Sequence, residues 1–157
     1  MIPGPSEPSL HINSFLEPIV QDLLKLWKGV SMGTCEGSKT VRAALLCNSS
    51  DILATRKVGG FVGHGALKGC SMCLKYFPTD SFCTKADYSG FCRDEWPQRS
   101  VEEHRSKGFD WKNAKALSCR HKIERDCGVR FSELLRLPYF DTINYSVCTM
   151  FCWAHLS

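Results

Sequence analysis

Thr40-Val41-Arg42-Ala43-Ala44-Leu45-Leu46-Cys47, followed by Asn48-Ser49-Ser50-Asp51, is the stretch on which the fold turns. The first eight residues are largely apolar, with Gly37-Ser38 before them and Asn48-Ser49-Ser50 after. A short continuous apolar run between turn residues predicts a β-strand buried on both faces. Asp51 follows directly. A carboxylate at the C-terminal end of a buried strand is a common place for chemistry in α/β folds, and also a common place for a plain turn residue. The reading is an α/β core with Asp51 as the first candidate site residue.

Upstream, residues 1–12 are proline-rich and extended. Ser14 to Lys28 then reads as an amphipathic helix, with Phe15, Ile19, Leu23 and Leu26 or Trp27 on one face. Pro18 suits a first turn, so the regular helix is expected to start there, and Gly29 to stop it. Residues 30–39 read as a loop. Downstream, Gly59, Gly60, Gly63, Gly65 and Gly69 make a turn-rich stretch. It is neither a Walker loop, since no Gly-Lys-Ser/Thr closes it, nor a dinucleotide fingerprint, since Lys68 replaces the third glycine. From residue 80 the charge rises and aromatic residues scatter. Ser100 with Glu103 forms a capping box for a short helix. Asn113 to Asp126 reads as a second helix stopped by Gly128, and Ser132 with Leu134 and Leu135 as a third. The division is a core segment over 1–79, a mainly helical insertion over 80–137, and a return segment with its tail over 138–157.

The chain of 157 residues suits one ordinary domain, and 43% hydrophobic with 23% charged residues suits a soluble globular one. No apolar run approaches the roughly 20 residues of a membrane span. Met1 to Leu10 lacks the basic and apolar regions of a secretory signal, so the ten cysteines are not expected to be secreted disulfides. From Ile52 to Thr79 there is no Asp or Glu. Arg56, Lys57, Lys68 and Lys75 in that stretch account for the whole net charge of +4. A local basic surface suits a phosphate backbone, and a solvated loop explains the same charges.

Cys70-Ser71-Met72-Cys73 is a C-x-x-C whose spacing lets two thiolates reach one tetrahedral Zn²⁺. Lys68 and Lys75 are expected to favour the thiolates. Two further ligands are needed, with Cys83, Cys92, His64, His104, His121 and Cys148 with Cys152 as candidates. Cys148, Cys152 and His155 also read as a second cluster in an apolar tail, where burial is the simpler account. Ordinary buried cysteines and a redox pair are the alternatives for Cys70 and Cys73.

Asp51, Arg56-Lys57-Val58-Gly59-Gly60-Phe61, Gly63-His64 and Gly69-Cys70-Ser71-Met72-Cys73, in that order, resemble the En/Spm-type (CACTA) transposase family, especially the transposase-domain proteins of animal genomes. Ile2-Pro3-Gly4-Pro5, Asp87-Tyr88-Ser89-Gly90-Phe91 and Leu137-Pro138-Tyr139-Phe140-Asp141 look like further landmarks. The resemblance implies an RNase H-like core holding two Mg²⁺ ions on three acidic residues, with Asp51 as the second, and a nuclear protein acting on DNA. Asp51 precedes Cys70 by 19 residues, a spacing similar to that of the related antigen-receptor recombinase, where the C-x-x-C is half of a zinc site.

The family pattern also implies a first Asp before residue 1 and a last acidic residue after the insertion. Its Asp-x-Met-His motif is replaced at Thr149 to Cys152, and the tail from Ser146 diverges. The expectation is therefore a partial RNase H-like core that cleaves nothing alone. Weak, sequence-independent DNA contact is expected through Arg56, Lys57, Lys68 and Lys75, with neither a membrane nor a small-molecule substrate as partner. The alternatives are a domesticated zinc-knuckle module binding nucleic acid or protein, and a small redox protein. A strand at Thr40–Cys47 lacking neighbours would also leave exposed edges and apolar surface, and hence a poorly soluble or molten chain.

Overall fold

The structure is a computed structural model that describes residues 12–63, 66–78 and 93–148. Helix α1 spans Ile12–Lys28, β1 Val30–Thr34, β2 Gly37–Val41, β3 Asn48–Ser50 and α2 Ile52–Gly59. A short 3-10 turn at Arg93–Glu95 precedes α3 (Val101–Asn113) and α4 (Leu117–Cys127). A second 3-10 turn at Glu133–Arg136 leads to β4 (Ser146–Cys148). None of the described helices is long and apolar enough to cross a membrane.

Helix α1 forms, but it starts at Ile12 and carries Pro18 in its second turn rather than at its start; its last turn closes at the expected stop, where the Gly29 N–H reaches the Lys25 carbonyl at 3.0 Å. The buried face differs from the expected one. Val20 is fully buried, with Leu23 and Leu24 packed on the same core, whereas Phe15 and Ile19 are exposed. The apolar residues of α1 come in adjacent pairs (15 and 16, 19 and 20, 23 and 24, 26 and 27), so two neighbouring stripes satisfy helical spacing equally. Packing selects the stripe through Val20. Its partners are Leu134, Leu137 and Phe140, with Leu45, Val58 and Tyr139 at the margin. Burying each such side chain stabilises by about 1.5–3 kcal/mol. The start of α1 is tied down by Asn13, whose amide donates to the Phe131 carbonyl at 3.0 Å and accepts from the Glu133 N–H at 2.9 Å.

Thr40–Cys47 does not form the expected buried strand. Thr40 and Val41 end an exposed antiparallel hairpin in which Val30 faces Val41 and Thr34 faces Gly37. Residues 42–47 are irregular. Their recorded ties are the Ala43 N–H to the Leu26 carbonyl and the Leu45 N–H to the Tyr139 hydroxyl, both 3.3 Å. Leu45 alone of the apolar run reaches the core, while Leu46 is 80% exposed. Strand character falls instead on Asn48–Ser50, which pairs in parallel with β4: Asn48 with Ser146, Ser49 with Val147, Ser50 with Cys148. An apolar run becomes a doubly buried strand only with a sheet on each side, and among the described residues each sheet has two strands.

After residue 100 the caps and stops fall where the local signals place them, but Asn113 ends α3 instead of opening α4, which starts at Leu117, and the third element is a 3-10 turn. Ser100 Oγ accepts the Glu103 N–H and caps α3. Gly128, at φ 70°, ends α4 in the left-handed region that favours glycine. Ser132 caps the 3-10 turn at Glu133–Arg136. Helices α3 and α4 pair through Trp111, which donates to Glu124 at 2.8 Å and lies 4.8 Å under the Arg120 guanidinium.

Candidate functional site

Asp51 follows β3 and is the N-cap of α2, with Oδ1 accepting the Ala54 N–H at 2.8 Å. Capping fixes the carboxylate without burying it, and the residue is exposed. Next to it, Thr55 is buried and hydrogen-bonds Ser50 through its hydroxyl at 2.8 Å, locking the strand-to-helix junction. The junction thus presents one carboxylate to solvent at a strand end. Helix α2 itself had no sequence signal beyond that cap.

Arg56-Lys57-Val58-Gly59-Gly60-Phe61 is a packing hub. Arg56 Nη1 donates to the Val62 carbonyl at 3.3 Å and to the Gly69 carbonyl. Gly60 has φ 75°, and a Cβ there would stand 2.7 Å from the Arg130 carbonyl oxygen. That closeness lets the Arg130 N–H reach the Gly60 carbonyl at 2.8 Å and Phe61 pair with Val129. His104 of α3 closes the hub. It is buried, its Nε2 bonds the Gly59 carbonyl at 3.0 Å, and its ring lies 4.5 Å from that of Phe61. Burial lowers its pKa to about 4. It serves packing and is not grouped with a metal-ligand set.

The expected basic residues occupy separate surroundings. Arg56 is spent on backbone carbonyls. Lys75 lies 5.3 Å above the Trp96 ring. Lys57 lines a groove beside α4, and Lys68 is half-buried with its carbonyl accepting from Arg99 at 3.0 Å.

Cys70 and Cys73 lie together. The Met72 N–H donates to Cys70 Sγ at 3.4 Å, and the Lys75 backbone N–H donates to the Cys73 sulfur, so each sulfur receives the amide two residues on. Both line a cavity of about 200 Å³ with Met72, Trp96 and Gln98. Burial pushes the Cys73 thiol up; the Lys75 amide opposes this, and a hydrogen bond with Cys70 adds to it. The cation that opposes the rise is Arg99 rather than Lys68 or Lys75. Arg99 is buried, and its guanidinium donates to the carbonyls of Cys70 (2.8 Å), Cys127 (2.8 Å) and Lys68 (3.0 Å). Burial lowers its pKa, against the pull of Cys70, Cys73 and Cys127. Nothing local in the sequence around Arg99 marks this role.

Cys35, Cys47, Cys70, Cys73, Cys119 and Cys127 are free thiols. Among the described residues no three His, Cys, Asp or Glu side chains are grouped to hold a metal ion. The candidate ligands His64, Cys83, Cys92, Cys152 and His155, and the side chain of Cys148, lie outside the described residues, as do the landmarks at 2–5 and 87–91. His121 is exposed on α4. The Leu137–Asp141 landmark is structural. Leu137 and Phe140 are core, their carbonyls accept from Arg105 at 2.9 and 3.1 Å, and Asp141 caps the N–H groups of Ile143 and Asn144.

The sequence model of a family described as Transposase family tnp2 matches residues 1–122. No curated protein and no solved structure matches the chain.

Proposed function

The chain belongs to the transposase family tnp2, and from that membership we propose that it contributes to an RNase H-like catalytic core of the En/Spm (CACTA) type, acting on DNA in the nucleus. Asp51 is one of the acidic residues that hold Mg²⁺ for DNA cleavage and strand transfer. The observation that carries this reading is the exposed carboxylate at the end of β3, fixed by its cap on α2. With Oδ1 engaged by one N–H, the carboxylate keeps an oxygen for an ion, which suits one ligand of a site and not a whole site. Two-metal phosphoryl transfer holds its ions about 3.5–4 Å apart on several carboxylates, so the remaining ligands come from outside the described residues. The experiment is Asp51→Asn in a full-length transposase carrying this segment. Cleavage of a transposon-end duplex is lost while DNA binding persists. Unchanged cleavage in that variant removes Asp51 from the site.

A second reading, a zinc knuckle, has its own support in the paired amide-to-sulfur bonds of Cys70 and Cys73, since N–H donors stabilise thiolates. These residues fit two ligands of a tetrahedral Zn²⁺. Metal analysis after zinc loading of the wild type and a Cys70→Ser/Cys73→Ser variant tests it: the variant retains less zinc. Equal zinc in both would sink this reading without touching the first.

A further inference from the structure

Two hollows beside α4, of about 380 and 440 Å³, share His121, Glu124 and Arg130 in their walls and so adjoin along one side of the helix as a groove interrupted by those side chains. Lys57 and Arg120 line the first hollow, Arg125 lines the second, and Arg130 lines both, against the single carboxylate of Glu124. That carboxylate is already engaged, by Trp111 Nε1 at 2.8 Å and by Arg130 at 2.9 Å. The groove therefore presents an excess of positive charge in a recess. Arg120 spends Nε on the Ala114 carbonyl at 3.2 Å and Arg125 spends Nε on Asp126 at 3.0 Å. Each guanidinium carries five N–H donors in a fork that matches phosphate oxygens. The wall of the first hollow includes Trp111, whose indole is stacked under the Arg120 guanidinium.

We propose that this groove holds an unpaired DNA strand, with phosphates on Lys57, Arg120, Arg125 and Arg130 and a base against the Arg120–Trp111 pair. This inference rests on the reading of the chain as a DNA-acting transposase and names the surface that engages the strand. Three of its four cations lie on or just after α4, outside the 52–79 segment that charge counting singled out. A positively charged groove with an aromatic wall is the general form of single-strand binding. A recess suits a flexible strand better than a duplex, whose phosphates lie on a convex surface.

The test uses fluorescence anisotropy of a labelled oligothymidylate with the whole chain. The Lys57→Ala/Arg120→Ala/Arg125→Ala variant loses at least about 10-fold in affinity. Its log–log salt slope shrinks by about 2, at roughly 0.7 per phosphate contact on single strands. Arg125→Ala alone serves as the fold-neutral variant, since its recorded ion pair is with the adjacent Asp126, and its slope shrinks by about 0.7. A Lys68→Ala/Lys75→Ala control keeps the wild-type affinity to within about 2-fold. Equal losses in the groove and control variants overturn the groove and leave the transposase reading standing. Equal dependence on the groove for a duplex of the same length, or equal competition by polyglutamate, overturns the unpaired strand as occupant. Absence of binding to any DNA overturns the inference together with DNA contact by this chain, whereas the Asp51→Asn result addresses the catalytic reading by itself.

Discussion

His104 shows at a single residue how the hub is held and where it fails. Its Nε2 holds the Gly59 carbonyl, while its Nδ1 is buried without a partner. Burial lowers its pKa to about 4; the Gly59 bond opposes this, nearby Arg99 reinforces it, and Asp141 opposes it weakly. A pKa lowered on folding means that the unfolded chain binds the extra proton first. Stability is therefore complete above about pH 6.5 and falls as pH drops towards 4, by about 3 kcal/mol across that window. Urea unfolding at a series of pH values checks this: the midpoint of the wild type declines from pH 6.5 to 4, and His104→Gln declines much less. Parallel curves would place the acid sensitivity elsewhere. Arg99 is the matching case for charge. Arg99→Met removes donors from three carbonyls around the C-x-x-C. Each buried acceptor left alone costs about 1–3 kcal/mol, so the variant unfolds at lower urea.

At the scale of elements, the junction of α2 with the 128–132 segment depends on Gly60. Alanine there meets both a left-handed backbone and the Arg130 carbonyl. The left-handed conformation alone costs about 1–2 kcal/mol, and the close carbonyl adds to it. Gly60→Ala is expected to lower stability by at least about 2 kcal/mol in urea melts. A near-neutral result would mean that the turn re-forms without the Gly60–Arg130 pairing. The elements legible in the sequence are those whose cause is local: the Ser100 cap, the Gly128 stop, the Ser132 cap and the existence of α1. Those that failed depend on partners distant in the chain. The apolar run at 40–47 reads as a buried strand, yet Leu46 faces solvent because among the described residues no sheet flanks it. The true strand, Asn48-Ser49-Ser50, is polar and owes its state to residues 146–148. The face of α1 was ambiguous because both of its stripes are apolar. In the candidate site, the position of Asp51 at a strand end follows from a turn signal, whereas Arg99 reaches Cys127 and Cys70 across about thirty residues and leaves no local trace.

At the scale of the whole molecule, several large apolar side chains stay exposed, on α1 and beyond it. Ile19 (55%), Trp27 (46%), Met32 (51%) and Leu46 (80%) are all exposed. Exposed apolar side chains of this size promote association where they adjoin. The chain is expected to self-associate with rising concentration, and Ile19→Glu/Leu46→Glu to reduce this while changing stability by no more than about 0.5 kcal/mol. Sedimentation velocity over a concentration series decides it; a wild type that stays monomeric throughout would show that the surface is not sticky enough to matter.

The parallel pairing of β3 with β4 also imposes an order in time. Asn48 waits for Ser146, and at roughly 5–20 residues per second of synthesis that interval is roughly 5–20 s. The amide of Asn13 waits longer still for Phe131 and Glu133. Throughout that interval α1, the hairpin and the Asp51 junction exist as sequence without their closing partners, open to chaperones and to proteases. A messenger cut short before Phe131 would still encode Asp51, yet its product would lack both the strand beside that carboxylate and the residues that anchor the first helix. Residues 131–148 act as the latch for the segment from Asn13 to Asp51, so the fate of that segment is decided long after it has been made.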